Sequence, residues 1–190
     1  MSQRATATAT HDYFPVSEAA ICFTKGTRIL TPRGEVPIER LSAGQEVLTL
    51  DHGPQPIRWI GHRTVRATGA LAPVQFLAGA IGNHRDLLVS PQHRMLQGLR
   101  ARTGLAPAIK LVDHDLVHVA FGGMVTYMHL IFDQHEVIFA EGAASESFHP
   151  SMDTLETLTP PAREELFDLF PRLRSDPNGY GPKVRPDIAA

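Results

Sequence analysis

Cys22 is the only cysteine in the chain, and it lies in the run Ile21-Cys22-Phe23-Thr24-Lys25-Gly26-Thr27-Arg28-Ile29. A thiol at that point can attack the carbonyl just before it through a five-membered ring. The Ile21–Cys22 peptide bond would then become a thioester. Three conditions follow. The thiol must lose its proton, because the thiolate is the nucleophile. The departing backbone nitrogen must gain a proton, since an amide anion is a very poor leaving group. The scissile peptide must be held distorted, at a cost of about 1–3 kcal/mol per strained element. Ser90-Pro91-Gln92-His93 supplies a hydroxyl and an imidazole together. The hydroxyl can hold the scissile amide, and histidine is the natural proton donor near pH 7. A second imidazole, His129 or His135, can activate the thiol or stabilise the tetrahedral oxyanion.

Each of these residues also has an ordinary reading. A lone cysteine is more often a small buried apolar residue than a nucleophile. His93 by itself reads as a satisfied or surface histidine. His135 divides evenly between a structural and a chemical role, and His129 leans toward the structural one. Asp133 reads as a turn residue. The ten histidines also raise metal binding. His114 and His118, four apart and flanked by Asp113 and Asp115, can in principle ligate zinc, but the spacing favours surface roles. His135-Glu136 opens like a zinc-protease motif, yet Phe139 stands where its second histidine should fall. The expected site therefore contains no metal and needs no cofactor.

The elements that must position these side chains are short. From Cys22 onward β-like runs recur at Thr27–Leu30, Val36–Leu41, Glu46–Leu50, Pro56–Val65, Val74–Leu77, Leu87–Ser90, Arg94–Leu96, Ile109–Leu111, Leu116–Phe121, Met124–Phe132 and Glu136–Ala140. Turn signals such as Pro32-Arg33-Gly34, Ser42-Ala43-Gly44 and Asp51-His52-Gly53-Pro54 separate them. Gly122-Gly123 between two apolar runs predicts a tight hairpin. This pattern argues for an all-β fold, closed or curled so that few edges remain exposed. Thr159-Pro160-Pro161 before Ala162–Phe170 predicts a helix: threonine can cap, proline suits the first turn, and acidic residues lie near the positive end of the dipole. Leu166, Leu169 and Phe170 share a face of it. Glu164 and Glu165 read as its solvated side, and Trp59 as a core strand residue.

Composition narrows the class. The chain has 190 residues and a formal net charge of −2, which suits one soluble domain with tails and suggests no nucleic-acid or membrane partner. A single cysteine leaves the redox compartment open. No apolar run approaches the roughly 18 residues of a membrane span. Met1–Thr10 lacks the apolar core of a secretory signal, so localisation stays unassigned.

Taken together the motifs carry a resemblance. The chain resembles the Hint (hedgehog/intein) family, and within it the bacterial hedgehog/intein-like domains. The resemblance rests on Cys22–Ile29, Val36–Thr49, Gln55–Gly61, Leu88–Leu96 and His135–Gly142, and it spans roughly residues 22–148. It implies a pseudo-symmetric, horseshoe-like all-β domain with a short C-terminal helix appended. It also implies cleavage at the domain's own N-terminal cysteine through a thioester. Cys22 matches the family nucleophile, and His93 matches the histidine of its Thr-x-x-His motif with Ser90 in the threonine's place. His135 resembles the histidine of the last strand pair, whereas His129 falls where many members have aspartate. Splicing members end in His-Asn, but the corresponding stretch here is Ala143-Ala144-Ser145-Glu146-Ser147, so full splicing is not expected.

The implied organisation is a leader over 1–21, a processing domain over 22–148, a C-terminal extension with the helix over 149–173, and a flexible tail over 174–190. The partner is the chain's own N-terminal flank as substrate, with water, a thiol or an amine as acceptor. The β-branched Ile21 should crowd its carbonyl and slow attack by water. Two other functions stand beside this one: an inactive fold kept as a scaffold or binding module, and a metal-dependent hydrolase.

Overall fold

A computed structural model of the chain describes residues 21–99, 102–156, 158–176 and 178–188. Of the expected leader, only Ile21 falls within them. The first strands are β1 (Phe23–Thr24), β2 (Arg28–Thr31), β3 (Gly34–Pro37), β4 (Glu46–Thr49), β5 (Gly53–Pro56), β6 (Trp59–Arg66) and β7 (Val74–Phe76). They continue with β8 (Leu87–Val89), β9 (Arg94–Leu99), β10 (Arg102–Pro107), β11 (Val117–Val119), β12 (Met124–Ile131), β13 (Val137–Ala140) and β14 (Ala143–Glu146). A one-turn helix, α1 (Met152–Leu155), and a longer one, α2 (Pro160–Leu169), follow.

The strands form two sheets, one ordered β11-β7-β8-β1-β12-β6 and the other β10-β9-β14-β13-β2-β3, with β4 joining β13 and β5 alongside. Every named strand pair is antiparallel. The architecture is all-β with a short C-terminal helix, as the sequence predicts. Most strands carry one buried and one less buried set of side chains, the period-2 pattern expected of a half-buried strand: Trp59, Gly61 and Val65 of β6 are buried, while Ile60, His62 and Thr64 are not.

Two cores result. The larger lies between the sheets and gathers Phe23, Ile29, Val47, Val74, Phe76, Leu87, Val89, Leu130 and Ile138, among others. The smaller joins the sheet to the C-terminal helices: Ile21, Trp59, Ile131 and Phe148 pack with Leu155, Leu158, Ala162, Leu166, Leu173 and Tyr180. Fully burying an aliphatic or aromatic side chain contributes about 1.5–3 kcal/mol. Thr159 caps α2 by accepting a hydrogen bond from the Ala162 amide, and the two prolines sit at the first helical positions.

Several expectations need correction. Gly122-Gly123 does not close a hairpin between the apolar runs on either side. β11 pairs with β7 and β12 with β6, and the two glycines exchange backbone hydrogen bonds with Ala67 at the end of β6. Ile109–Leu111 belongs to a 3-10 turn. Leu169 is 48% exposed and turns away from the helix's apolar face. Glu165 is not a solvated residue, because it accepts a hydrogen bond from the Trp59 indole at 2.9 Å. The segment read as a flexible tail is fastened to the shell at several points. Tyr180 is buried and donates to the Phe132 carbonyl. Leu105 exchanges backbone hydrogen bonds with Pro186 and Ile188. That close approach needs Gly104, where a Cβ would lie 2.4 Å from the Ile188 side chain.

Candidate active site

Strand register builds the site. β1 is only two residues long, but it runs between β8 and β12. Phe23 pairs with Val89 on one side and Met128 on the other. One residue back along both antiparallel registers, Cys22 faces Ser90 and His129. The Ser90 amide donates to the Cys22 carbonyl at 2.9 Å. The Cys22 amide donates to Ser90 Oγ, also at 2.9 Å, so the hydroxyl grips the nitrogen of the Ile21–Cys22 bond itself.

On the other flank, His129 Nε2 lies 3.4 Å from Cys22 Sγ. Its other ring nitrogen, Nδ1, is hydrogen-bonded to the Ile21 carbonyl oxygen. That oxygen can only accept, so Nδ1 carries the proton and Nε2 presents its lone pair to the thiol. One imidazole thus touches both the Cys22 sulfur and the Ile21 carbonyl oxygen. Phe148 packs edge-on against the ring, with centroids 4.7 Å apart.

The electrostatics are those of a dry site. Cys22 is 1% exposed. Burial pushes its thiol far above the usual cysteine range, against smaller opposing effects from the Ser90 hydroxyl and the positive charge of Arg63. At neutral pH it is therefore a thiol. Burial pushes His129 down to about 4, opposed in part by its bond to the Ile21 carbonyl. His93 is pushed down to about 3, first by burial and then by the fields of His129, Arg94 and His135. Both imidazoles are neutral at pH 7.

His93 is held one turn beyond Ser90: its amide donates to the Ser90 carbonyl at 3.0 Å, and its ring lies edge-on to Phe23 with centroids 4.4 Å apart. Neither ring nitrogen has a hydrogen-bond partner among the described residues. His135 is buried elsewhere. Its Nδ1 accepts from the Val184 amide at 3.2 Å, its Nε2 lies 3.4 Å from Glu146 Oε2, and its ring meets His149 edge-on. The structure thus gathers Cys22, Ser90 and His129 around the Ile21–Cys22 bond, sets His93 behind Ser90, and ties His135 to the C-terminal segment. His114 is exposed and His118 lies on β11, apart from this group.

The Hint domain family matches residues 21–152, more than half of the chain. The chain belongs to that family. A comparison with curated proteins finds no match. Among solved structures, the fold is similar to a bacterial intein-like domain from Clostridium thermocellum, at 15% identity over 68% of this chain and 99% of that one, with a TM-score of 0.51. It is also similar to a splice-inactive variant of the AceL NrdHF class 3 split intein, at 16% identity over 67% of this chain and 97% of that one, with a TM-score of 0.50. At these identities the likeness is one of fold. The Hint/intein fold is one that supports autoprocessing in general.

Proposed function

We propose that the chain cleaves its own Ile21–Cys22 bond through an N–S acyl shift. The observation that carries this reading is the bridging position of His129, with Nε2 at the thiol and Nδ1 at the scissile carbonyl. In the proposed first step Nε2 takes the thiol proton as Sγ attacks the Ile21 carbonyl carbon. The carbonyl electrons move onto oxygen, and the imidazolium stabilises the resulting oxyanion through Nδ1–H. A base and an oxyanion donor in one ring raise the charge on the donor at the moment it is needed.

Collapse of the tetrahedral intermediate breaks the carbon–nitrogen bond and leaves Ile21 as a thioester on Cys22. The departing nitrogen needs one proton. Ser90 holds that nitrogen, and His93 behind it is the assigned donor. Because His93 is neutral at rest, the proton it delivers is the one that His129 took from the thiol, passed on to it, so that one proton leaves sulfur, one reaches nitrogen and both imidazoles end neutral. Water, a thiol or an amine then attacks the thioester and releases the leader. Release on the C-terminal side is not proposed: no asparagine occurs in 143–147, and Ala143–Glu146 forms β14 inside a sheet.

The experiment is intact mass after incubation of the full chain with dithiothreitol. The proposal expects loss of residues 1–21 from the parent protein and an unchanged mass for Cys22→Ala. An unchanged mass for both returns the scaffold reading. Equal cleavage in both, suppressed by a chelator, returns the metal hydrolase.

A further inference from the structure

A second cluster of chemically capable side chains lies away from Cys22, where β3, the loop before β8 and the turn between β13 and β14 meet. Glu35, His84 and Glu141 each offer a ligand atom there, and the three atoms lie within 4.8 Å of one another. His84 Nε2 is 3.2 Å from both Glu35 oxygens. It is 3.9 Å from Glu141 Oε2. Zinc with nitrogen and oxygen ligands at about 2.0–2.2 Å places neighbouring ligand atoms about 3.3–3.6 Å apart in a tetrahedron. The cluster needs only small side-chain adjustments to reach that spacing.

The cluster is more than acidic residues near a histidine. Glu141 is 4% exposed, and its two oxygens are used unequally. Oε1 accepts from the Arg28 amide at 2.8 Å. Oε2, turned toward His84, is buried and has no hydrogen-bond partner among the described residues. A buried carboxylate oxygen left unsatisfied is costly, and a cation would relieve that cost. Three local features hold the ligands in place. Glu141 has a left-handed backbone (φ 49°), which for a residue with a side chain persists only when its surroundings enforce it. The His84 amide donates to the Glu141 carbonyl at 2.9 Å, fixing the two ligands to each other. Gly142 opens the space for the imidazole, since a Cβ there would lie 2.6 Å from His84 Nδ1. The competing cation is Arg85, whose Nε lies 3.9 Å from Glu141 Oε2 on a largely exposed side chain.

We infer that Glu35, His84 and Glu141 form a binding site for a divalent cation of the zinc class, with water completing the coordination. One imidazole nitrogen and two carboxylates suit a borderline metal rather than calcium or magnesium, which take oxygen ligands. The bound ion would cross-link three segments far apart in sequence and add stability without entering the chemistry at Cys22.

The test uses full-length protein stripped of metal with a chelator, in a Cys22→Ala background so that the thiol and His129 cannot supply a competing site. Zinc titration by calorimetry is expected to show a single equivalent bound, with a matching rise in melting temperature. His84→Ala lies on a half-exposed loop, and Glu141→Gln keeps an oxygen for the Arg28 amide, so both should fold. Each is expected to lower zinc affinity about tenfold or more. Arg85→Gln, which removes the competing charge, is expected to tighten binding. The inference is overturned if the Cys22→Ala protein takes up no zinc, because the three side chains are then only an ion-pair cluster. It is equally overturned if uptake is indifferent to both His84→Ala and Glu141→Gln.

Discussion

His129 and His135 are six residues apart, both almost fully buried, and nearly equal in the sequence as candidates for the second imidazole. Their surroundings are opposite. His129 lies in mid-strand on β12, flanking Cys22, and spends its two nitrogens on the sulfur and the Ile21 carbonyl. His135 lies between β12 and β13, where its Nδ1 accepts from the Val184 amide and its Nε2 lies 3.4 Å from Glu146 Oε2 without a hydrogen bond among the described residues. The first is held against the bond proposed to break. The second fastens the C-terminal segment to the shell. Burial and residue type are shared, so neither decides function; what decides it is which backbone lies opposite, and strand register sets that.

The sharpest way to break this comparison is to remove each ring in turn. His129→Ala is expected to slow leader release by about 10²–10⁴-fold, the usual contribution of a positioned acid–base group. His135→Ala should change the rate by less than about tenfold, because it touches no reacting atom. An intact-mass time course separates the two, and the reverse ranking would refute the assignment.

The next effect is on stability against pH. His129 and His93 titrate near 4 and 3 in the folded chain, below the ordinary value of 6.5. Between those values and 6.5 the unfolded chain binds more protons, so stability falls as pH falls through that window. The slope is at most about 1.4 kcal/mol per pH unit for each group. Denaturant unfolding from pH 7 to 4 measures it, and His129→Gln should flatten part of the curve.

Ser90→Ala removes the acceptor of a buried amide and should cost about 1–3 kcal/mol of stability while also slowing cleavage. Ser90→Thr should restore both. The smallest expected change is Val184→Pro, which deletes the one amide donated to His135. It should cost about 0.5–1.5 kcal/mol in thermal unfolding and leave the cleavage rate near that of the parent.

Much of this architecture was legible in the sequence. Apolar alternation and turn residues marked most strands, and Thr159-Pro160-Pro161 marked the long helix. Four strands were not marked: the two-residue β1, β5 (whose Gly53-Pro54 reads as a turn), β10 and β14. β10 contains Gly104 and ends in proline, and β14 is made of small and polar residues, so neither carries an apolar stripe. β10 and β14 are strands because β9 and β13 pair with them. Cys22, Ser90 and His93 could be singled out because their spacing is local and their types are distinctive. The advantage of His129 over His135 could not be read, since it depends on β1 being threaded between two strands that are distant in sequence. Glu141 escaped notice for the same reason: its partners come from β2, from β3 and from the loop before β8.

Ile21 lies on the far side of the proposed cut from Cys22, yet its side chain is 5% exposed and sits in the smaller core with Trp59, Phe148 and the C-terminal helices. Severing the bond would not by itself separate the pieces. The newly made end would stay plugged in the shell like a peg, held by the apolar contact of one aliphatic side chain, about 1.5–3 kcal/mol. Were that bond cut, breaking and letting go would be two events, with departure of the fragment held back by the contacts of Ile21 in the smaller core.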